Sequence, residues 1–142
     1  MKRIFLTVLL SLTALVGAYL LYARNVTNPA VTEDIRNDPT SDRAARAMLI
    51  TLPNGRELPV NFLHEGSQVF IGVDGRWWRD FIDPGARVSL YMKGHAYEGH
   101  AVAVLDNPAY TEEIFSRLRP TAPEWLPAWL NGKLVVINLD QD

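Results

Sequence analysis

Cysteine is absent from the 142 residues. Its absence excludes a disulfide-stapled scaffold, a Cys-ligated zinc or iron–sulfur site and a cysteine nucleophile. Also missing are a G-x-G-x-x-G turn, a Walker loop and a G-x-S-x-G setting around Ser67, Ser89 or Ser116. The familiar phosphate cradles and hydrolytic triad chemistry therefore have no sequence support. Positive charge is scarce where nucleic acid would need it: from Asn25 onward 11 Lys and Arg stand against 16 Asp and Glu, and that acidic balance repels a phosphate backbone. Only a local basic cluster, large enough for one phosphate, remains open. There is no internal repeat and no low-complexity tract.

What the chain does have is apolar residues, and the largest block comes first. From Ile4 to Ala23 twenty positions pass without a charge; as a helix they span roughly 30 Å, the hydrocarbon thickness of a bilayer. Residues 1–24 read as a transmembrane anchor. The alternative is a cleaved signal peptide, but the run exceeds the usual apolar region of about 7 to 15 residues. Lys2 and Arg3 precede it and Arg24 follows, so the positive-inside bias places the N-terminus in the cytoplasm and the remainder outside. Residues 25–46, rich in Asn, Asp, Thr and Pro without an apolar period, read as a polar tether. Residues 47–142 are then the folded domain.

After Arg46 the pattern changes to period two. Strands are expected over Ala47 to Leu52, Glu57 to His64, Gln68 to Val73, Ala86 to Lys93, Ala96 to Leu105 and Lys133 to Leu139. Pro53-Asn54-Gly55-Arg56 supplies the positive φ angles of a tight hairpin. Asn107 to Leu118 carries Pro108 at its start, Glu112 and Glu113 early and Arg117 late, the charge order of a helix. Pro123 to Asn131 reads as a second short helix with Trp125 and Trp129 on one side. The fold class is mainly β, a barrel of about six antiparallel strands with flanking helices, behind one membrane helix.

The densest run of unusual residues leaves the third strand: Val73, Asp74, Gly75, Arg76, Trp77, Trp78, Arg79. Two indoles between two guanidinium groups combine flat stacking surfaces with phosphate-pairing forks. Arg56, at the hairpin, joins Arg76 and Arg79 on one anion if the second strand faces this segment. A plainer reading plugs the barrel end with a Trp and pairs Arg76 and Arg79 with Asp74, Asp80 or Asp83. His64, His95 and His100 are the only imidazoles; Glu98 and His100 share a strand face, but no metal-binding spacing is present. Trp125 and Trp129 suit a barrel mouth, the core or a lipid headgroup layer.

The order Leu49-Ile50-Thr51-Leu52, Gly55-Arg56, Leu58-Pro59-Val60, Val69-Phe70-Ile71-Gly72-Val73, Trp77-Trp78, Pro84-Gly85-Ala86-Arg87-Val88 and Tyr97-Glu98-Gly99-His100-Ala101 resembles the deazaflavin-dependent nitroreductase family. That family belongs to the wider group of split barrels that includes pyridoxamine phosphate oxidase-like flavoproteins. The resemblance implies a split β-barrel that holds F420 or FMN. It places Arg56 in the phosphate-binding turn, Pro59, Val60 and Asn61 beside the ring, and Val73, Asp74, Gly75, Arg76, Trp77, Trp78 and Arg79 in the loop that clasps cofactor and phosphate. It also implies a homodimer and hydride transfer to a small or lipophilic acceptor, which the membrane anchor makes quinone-like. Here the turn is shortened to Gly55-Arg56-Glu57, which loses a basic residue and gains an acid. That change favours the alternative of a degenerate barrel serving as a binding or scaffolding module without cofactor.

Overall fold

The computed structural model describes residues 2–22, 28–123, 125 and 132–141. Its first element, α1 (Lys2–Tyr22), is apolar along its length and nowhere buried against the rest of the chain. By length and composition it can cross a bilayer, as can a signal sequence.

Six strands follow: β1 (Ala47–Thr51), β2 (Glu57–Glu65), β3 (Gln68–Val73), β4 (Ala86–Met92), β5 (His95–Val104) and β6 (Lys133–Leu139). They close into one antiparallel barrel in the order β1-β2-β3-β6-β5-β4. This is the six-stranded barrel with flanking helices that the period-two pattern predicts, with strand ends shifted by no more than one residue. Closure depends on two non-sequential pairings, β1 with β4 through Ile50↔Leu90 and β3 with β6 through Phe70↔Val136. Alternation then sends one set of side chains inward. Met48, Ile50, Val69, Ile71, Val88, Leu90, Val135 and Ile137, each at most 2% exposed, fill the interior.

The first hairpin differs from the expectation in one detail. Only Gly55 takes a positive φ (+82°), while Asn54 instead accepts the Arg56 N–H at its side-chain oxygen (3.0 Å). The loop is thus a turn followed by one left-handed glycine, the next commonest hairpin solution after a two-residue loop.

Helices cover parts of the outer wall. α4 (Pro108–Leu118) has Pro108 in its first turn, and the Asn107 side chain accepts the Tyr110 N–H at 3.1 Å. It lays Ile114 and Phe115 on Phe70, Leu134 and Val136, the outward residues of β3 and β6. A 3₁₀ helix, Arg76–Phe81, caps the barrel end where β3 leaves, with Phe81 buried in the core. The short helix expected over residues 123–131 falls almost wholly outside the described residues.

The tether expected over residues 25–46 is corrected by the structure. Its described part folds into α2 (Asn28–Asn37) and α3 (Asp42–Arg46), with Ser41 capping α3 by accepting the Ala44 N–H at 3.2 Å. Val31 and Ile35 are four apart on one face of α2. They meet Ala47, Leu49 and Tyr91 on the outer wall, and Ile35 is fully buried. Two apolar residues in a polar decapeptide show no period by eye, yet they suffice once a sheet face is there to receive them. Ile35→Ala is expected to destabilise the folded chain by about 2–5 kcal/mol, measured by denaturant unfolding. A mere tether would leave the midpoint unchanged.

Candidate functional site

β2 turns Leu58, Val60 and Phe62 into the barrel, so Glu57, Pro59 and Asn61 point outward. α2 and α3 stand to one side of this strip and the end of α4 to the other. Between them runs a broad, open groove of about 2130 Å³. Arg56, Pro59, Val60 and Asn61 line it, together with Gly72, Asp74, Gly75 and Trp77, and the 117–122 segment that ends and follows α4. Leu20 near the end of α1 and Asn28 at the start of α2 border it as well.

Seven of the residues singled out from sequence therefore meet in one place, and four do not. Val73 lies in the barrel interior at 1% exposure. Arg76, Trp78 and Arg79 lie off the groove. The cause is the 3₁₀ helix, in which residues three apart share a face. Arg76 and Arg79 fall together on an exposed face, and Trp78 joins Phe81 on the face that packs against the core. Trp77 alone is turned to the groove. It is half-buried and edge-on to Phe81, with ring centroids 6.0 Å apart. The three guanidinium groups accordingly do not converge on one anion. Nor do Arg76 and Arg79 form the aspartate pairs of the plainer reading: neither has an ion pair among the described residues, and Arg79 instead lies over the Trp78 ring at 5.6 Å, with Lys133 at 5.9 Å.

The charges around the groove are mostly spoken for. Arg119 reaches over the Phe115 ring (5.2 Å) to Asp74 (3.2 Å). Gly72 makes room for it, since a Cβ there would stand 2.7 Å from the Arg119 Nη2 and 2.6 Å from the Phe115 ring. Arg36 lies over Tyr91 (5.3 Å) and pairs with Glu57 at 2.6 Å, which neutralises the acid of the shortened turn. Arg43 pairs with Asp34, and Arg117 with Glu65 and Glu113. Arg56 and Arg46 are left without an acidic partner among the described residues. Sequence reasoning missed α2, α3 and the 117–122 segment as walls of this site; the Val31/Ile35 spacing was the one available signal.

These residues suit a flat ring bearing one phosphate: Arg56 offers an unpaired fork, Trp77 an aromatic surface, and Asn61 an amide able to donate and accept. No polar or charged side chain is buried among the described residues. A dry acid–base pair of the kind enzymes tune by burial is thus not built here, and redox chemistry would have to come from a bound group.

The histidines serve local backbone. His64 Nε2 bonds the Gly66 carbonyl (3.0 Å), His95 Nδ1 the Lys93 carbonyl (3.0 Å) and His100 Nε2 the Pro84 carbonyl (2.6 Å). His64 and His95 share a second, smaller cleft of about 670 Å³ with Tyr97, Glu98 and Asp140, but no three His, Asp or Glu among the described residues are placed to hold a metal. Beside that cleft Arg87 grips Asp140 through two bonds, at 2.9 and 2.5 Å. This bonding lowers the Asp140 carboxyl below its ordinary 3.8 and raises the guanidinium. Because the folded carboxyl is the stronger acid, the pair stabilises the fold above the unfolded-state value, and that contribution fades as pH falls through the depressed one. The melting temperature should therefore drop more steeply on acidification in the native chain than in Asp140→Asn, and the gap should narrow in high salt.

No known family model matches the chain, and none of the curated proteins does. Among solved structures, a chain from Listeria innocua, provisionally described as a pyridoxamine 5′-phosphate oxidase, is similar at 13% identity with a TM-score of 0.44. The match covers 68% of this chain and 82% of that one.

Proposed function

We propose that this protein is a membrane-tethered barrel that binds a flavin or deazaflavin, FMN or F420, in the groove on β2 and reduces a small or lipophilic acceptor there. The observation that supports this most is the gathering of Arg56, Pro59, Asn61, Asp74, Gly75 and Trp77 from two separate stretches of chain onto one groove. Such a group, when bound, supplies hydride transfer. The residues of this chain have the simpler tasks of binding and orientation. Arg56 pairs the phosphate, Trp77 and Pro59 flank the ring, and the Asn61 amide meets its polar edge. Asp74, held by Arg119, fixes the wall on which Gly75 and Trp77 stand. α1 serves as the anchor, with its basic N-terminus in the cytoplasm and the barrel outside. Since Leu20 borders the groove, an acceptor dissolved in the membrane has a short path to it.

A second reading, a binding module without cofactor, draws on the placement of Arg76 and Arg79 off the groove and on the shortened turn. Titration separates the two. Under the first, FMN or F420 quenches tryptophan fluorescence on saturable binding, and Arg56→Ala weakens that binding about tenfold or more, the usual worth of a charge-assisted hydrogen bond. Arg79→Ala changes it little. A chain that binds neither compound, oxidised or reduced, removes the redox reading and leaves the module.

A further inference from the structure

We infer that the groove takes an added strand: an extended acidic peptide that pairs main chain to main chain with a free edge of β2, an occupant independent of the flavin read into the same groove. β2 changes partners along its length. It pairs with β1 over Glu57–Asn61 and with β3 only over Phe62–Glu65. Beside residues 57–61 no strand lies on the second side. There the groove runs, between Pro59 and Asn61 on β2 and Gly72, Asp74 and Gly75 at and beyond the end of β3.

The direction of the main-chain groups follows from one bond. The Arg56 carbonyl accepts the Leu52 N–H at 2.9 Å, so Arg56 turns its backbone to β1, and by alternation Leu58 and Val60 do the same. Glu57, Pro59 and Asn61 turn theirs to the free side. Pro59 has no N–H to offer, and a proline inside a sheet belongs where its nitrogen faces no partner strand. The edge therefore presents two donors, at Glu57 and Asn61, about 13 Å apart along the strand, with carbonyls at Glu57 and Pro59. Groups at this repeat match another extended main chain. The same proline disfavours a second copy, since pairing of the edge with itself about Pro59 sets two nitrogens without hydrogens face to face.

Charge and size point to an acidic peptide. Of the 11 Lys and Arg beyond Asn25, six line the groove, against four of the 16 Asp and Glu; an acidic domain has made this one surface positive. Glu57 and Asp74 are answered by Arg36 and Arg119, whereas Arg56 and Arg46 have no acidic partner among the described residues. These two stand at opposite ends of the edge. Arg56 lies level with Leu52 and Arg46, one step beyond the Ala47↔Asn61 pair, level with Phe62, which is about 20 Å along the strand. A peptide of about seven extended residues with a carboxylate at each end spans them. The groove's volume of about 2130 Å³ also exceeds the roughly 300–1,000 Å³ of small-molecule sites. A strand seated here covers Pro59 and Asn61, so it and a flavin ring exclude one another.

The test uses the full chain in detergent, without flavin, and fluorescein-labelled heptapeptides read by anisotropy. The parent peptide has glutamate at each end and alternating threonine and valine between. It should bind saturably. Replacing both glutamates by lysine should weaken binding about tenfold or more, and Arg46→Glu in the protein should act in the same direction. Methylating the main-chain nitrogens of alternate peptide residues should abolish binding for one set of positions and spare it for the other, because only one set faces β2. Equal loss from the two sets, or binding that follows charge alone, overturns the added strand. Absence of saturable binding up to about 1 mM peptide overturns it as well. The groove then belongs to the ring if FMN or F420 binds the same preparation, and to a second copy if the chain sediments as a dimer that Arg56→Glu breaks.

Discussion

Everything else in the molecule follows from the closure of six strands around a filled interior. A barrel this narrow has room only for its own side chains; here they are mostly Met, Ile, Leu and Val, with Ala101 and Tyr97 from β5 and Phe62 and Phe81 among them. No ligand can lie inside. Any binding surface must therefore be built on the outer wall, from whatever the flanking helices leave uncovered. α4 seals β3 and β6, α2 seals β1 and part of β4, and the outward residues of β2 are left between them as the floor of a groove.

That arrangement limits what the groove can offer. The wall of a barrel alternates, so Pro59 and Asn61 turn outward to the groove, while Val60 between them borders it but packs its side chain against the core. Among the described residues, none is a polar group that burial would tune as a proton donor or nucleophile. What the groove offers instead is shape, an indole edge and a few guanidinium groups, most already paired. Asp74 and Glu57, acids at a place where an anion is proposed to bind, are answered by Arg119 and Arg36. Arg56 at the hairpin, without an acidic partner among the described residues, is thus the residue on which the proposed anion binding would turn.

The 3₁₀ helix after β3 divides the Trp-Arg run between two jobs. Its three-residue period commits Trp78 and Phe81 to the core, leaves Arg76 and Arg79 facing outward, and turns Trp77 to the groove. One short segment therefore caps the barrel, furnishes a wall of the groove and carries two cations outward. Leu20 of α1 borders the same groove.

The strands, α1 and α4 were legible in the chain because each carries its own local signal: alternation in β1 to β6, an uncharged run of bilayer length, an Asn-Pro start with acids before bases. The candidate site was half legible. Arg56, Pro59, Asn61 and Trp77 stand out by residue type, and the β2–β3 hairpin sets their strands side by side, but the α2, α3 and post-α4 walls of the groove come from other parts of the chain, and no local pattern encodes their arrival. The same holds for the fate of Arg76 and Arg79, set by a helix only six residues long. It holds equally for residues 28–46, whose helices exist because the outer face of β1 gives Ile35 somewhere to go. Local periodicity decides what an element is and the β2–β3 hairpin lays the floor of the groove; packing between distant segments decides its other walls.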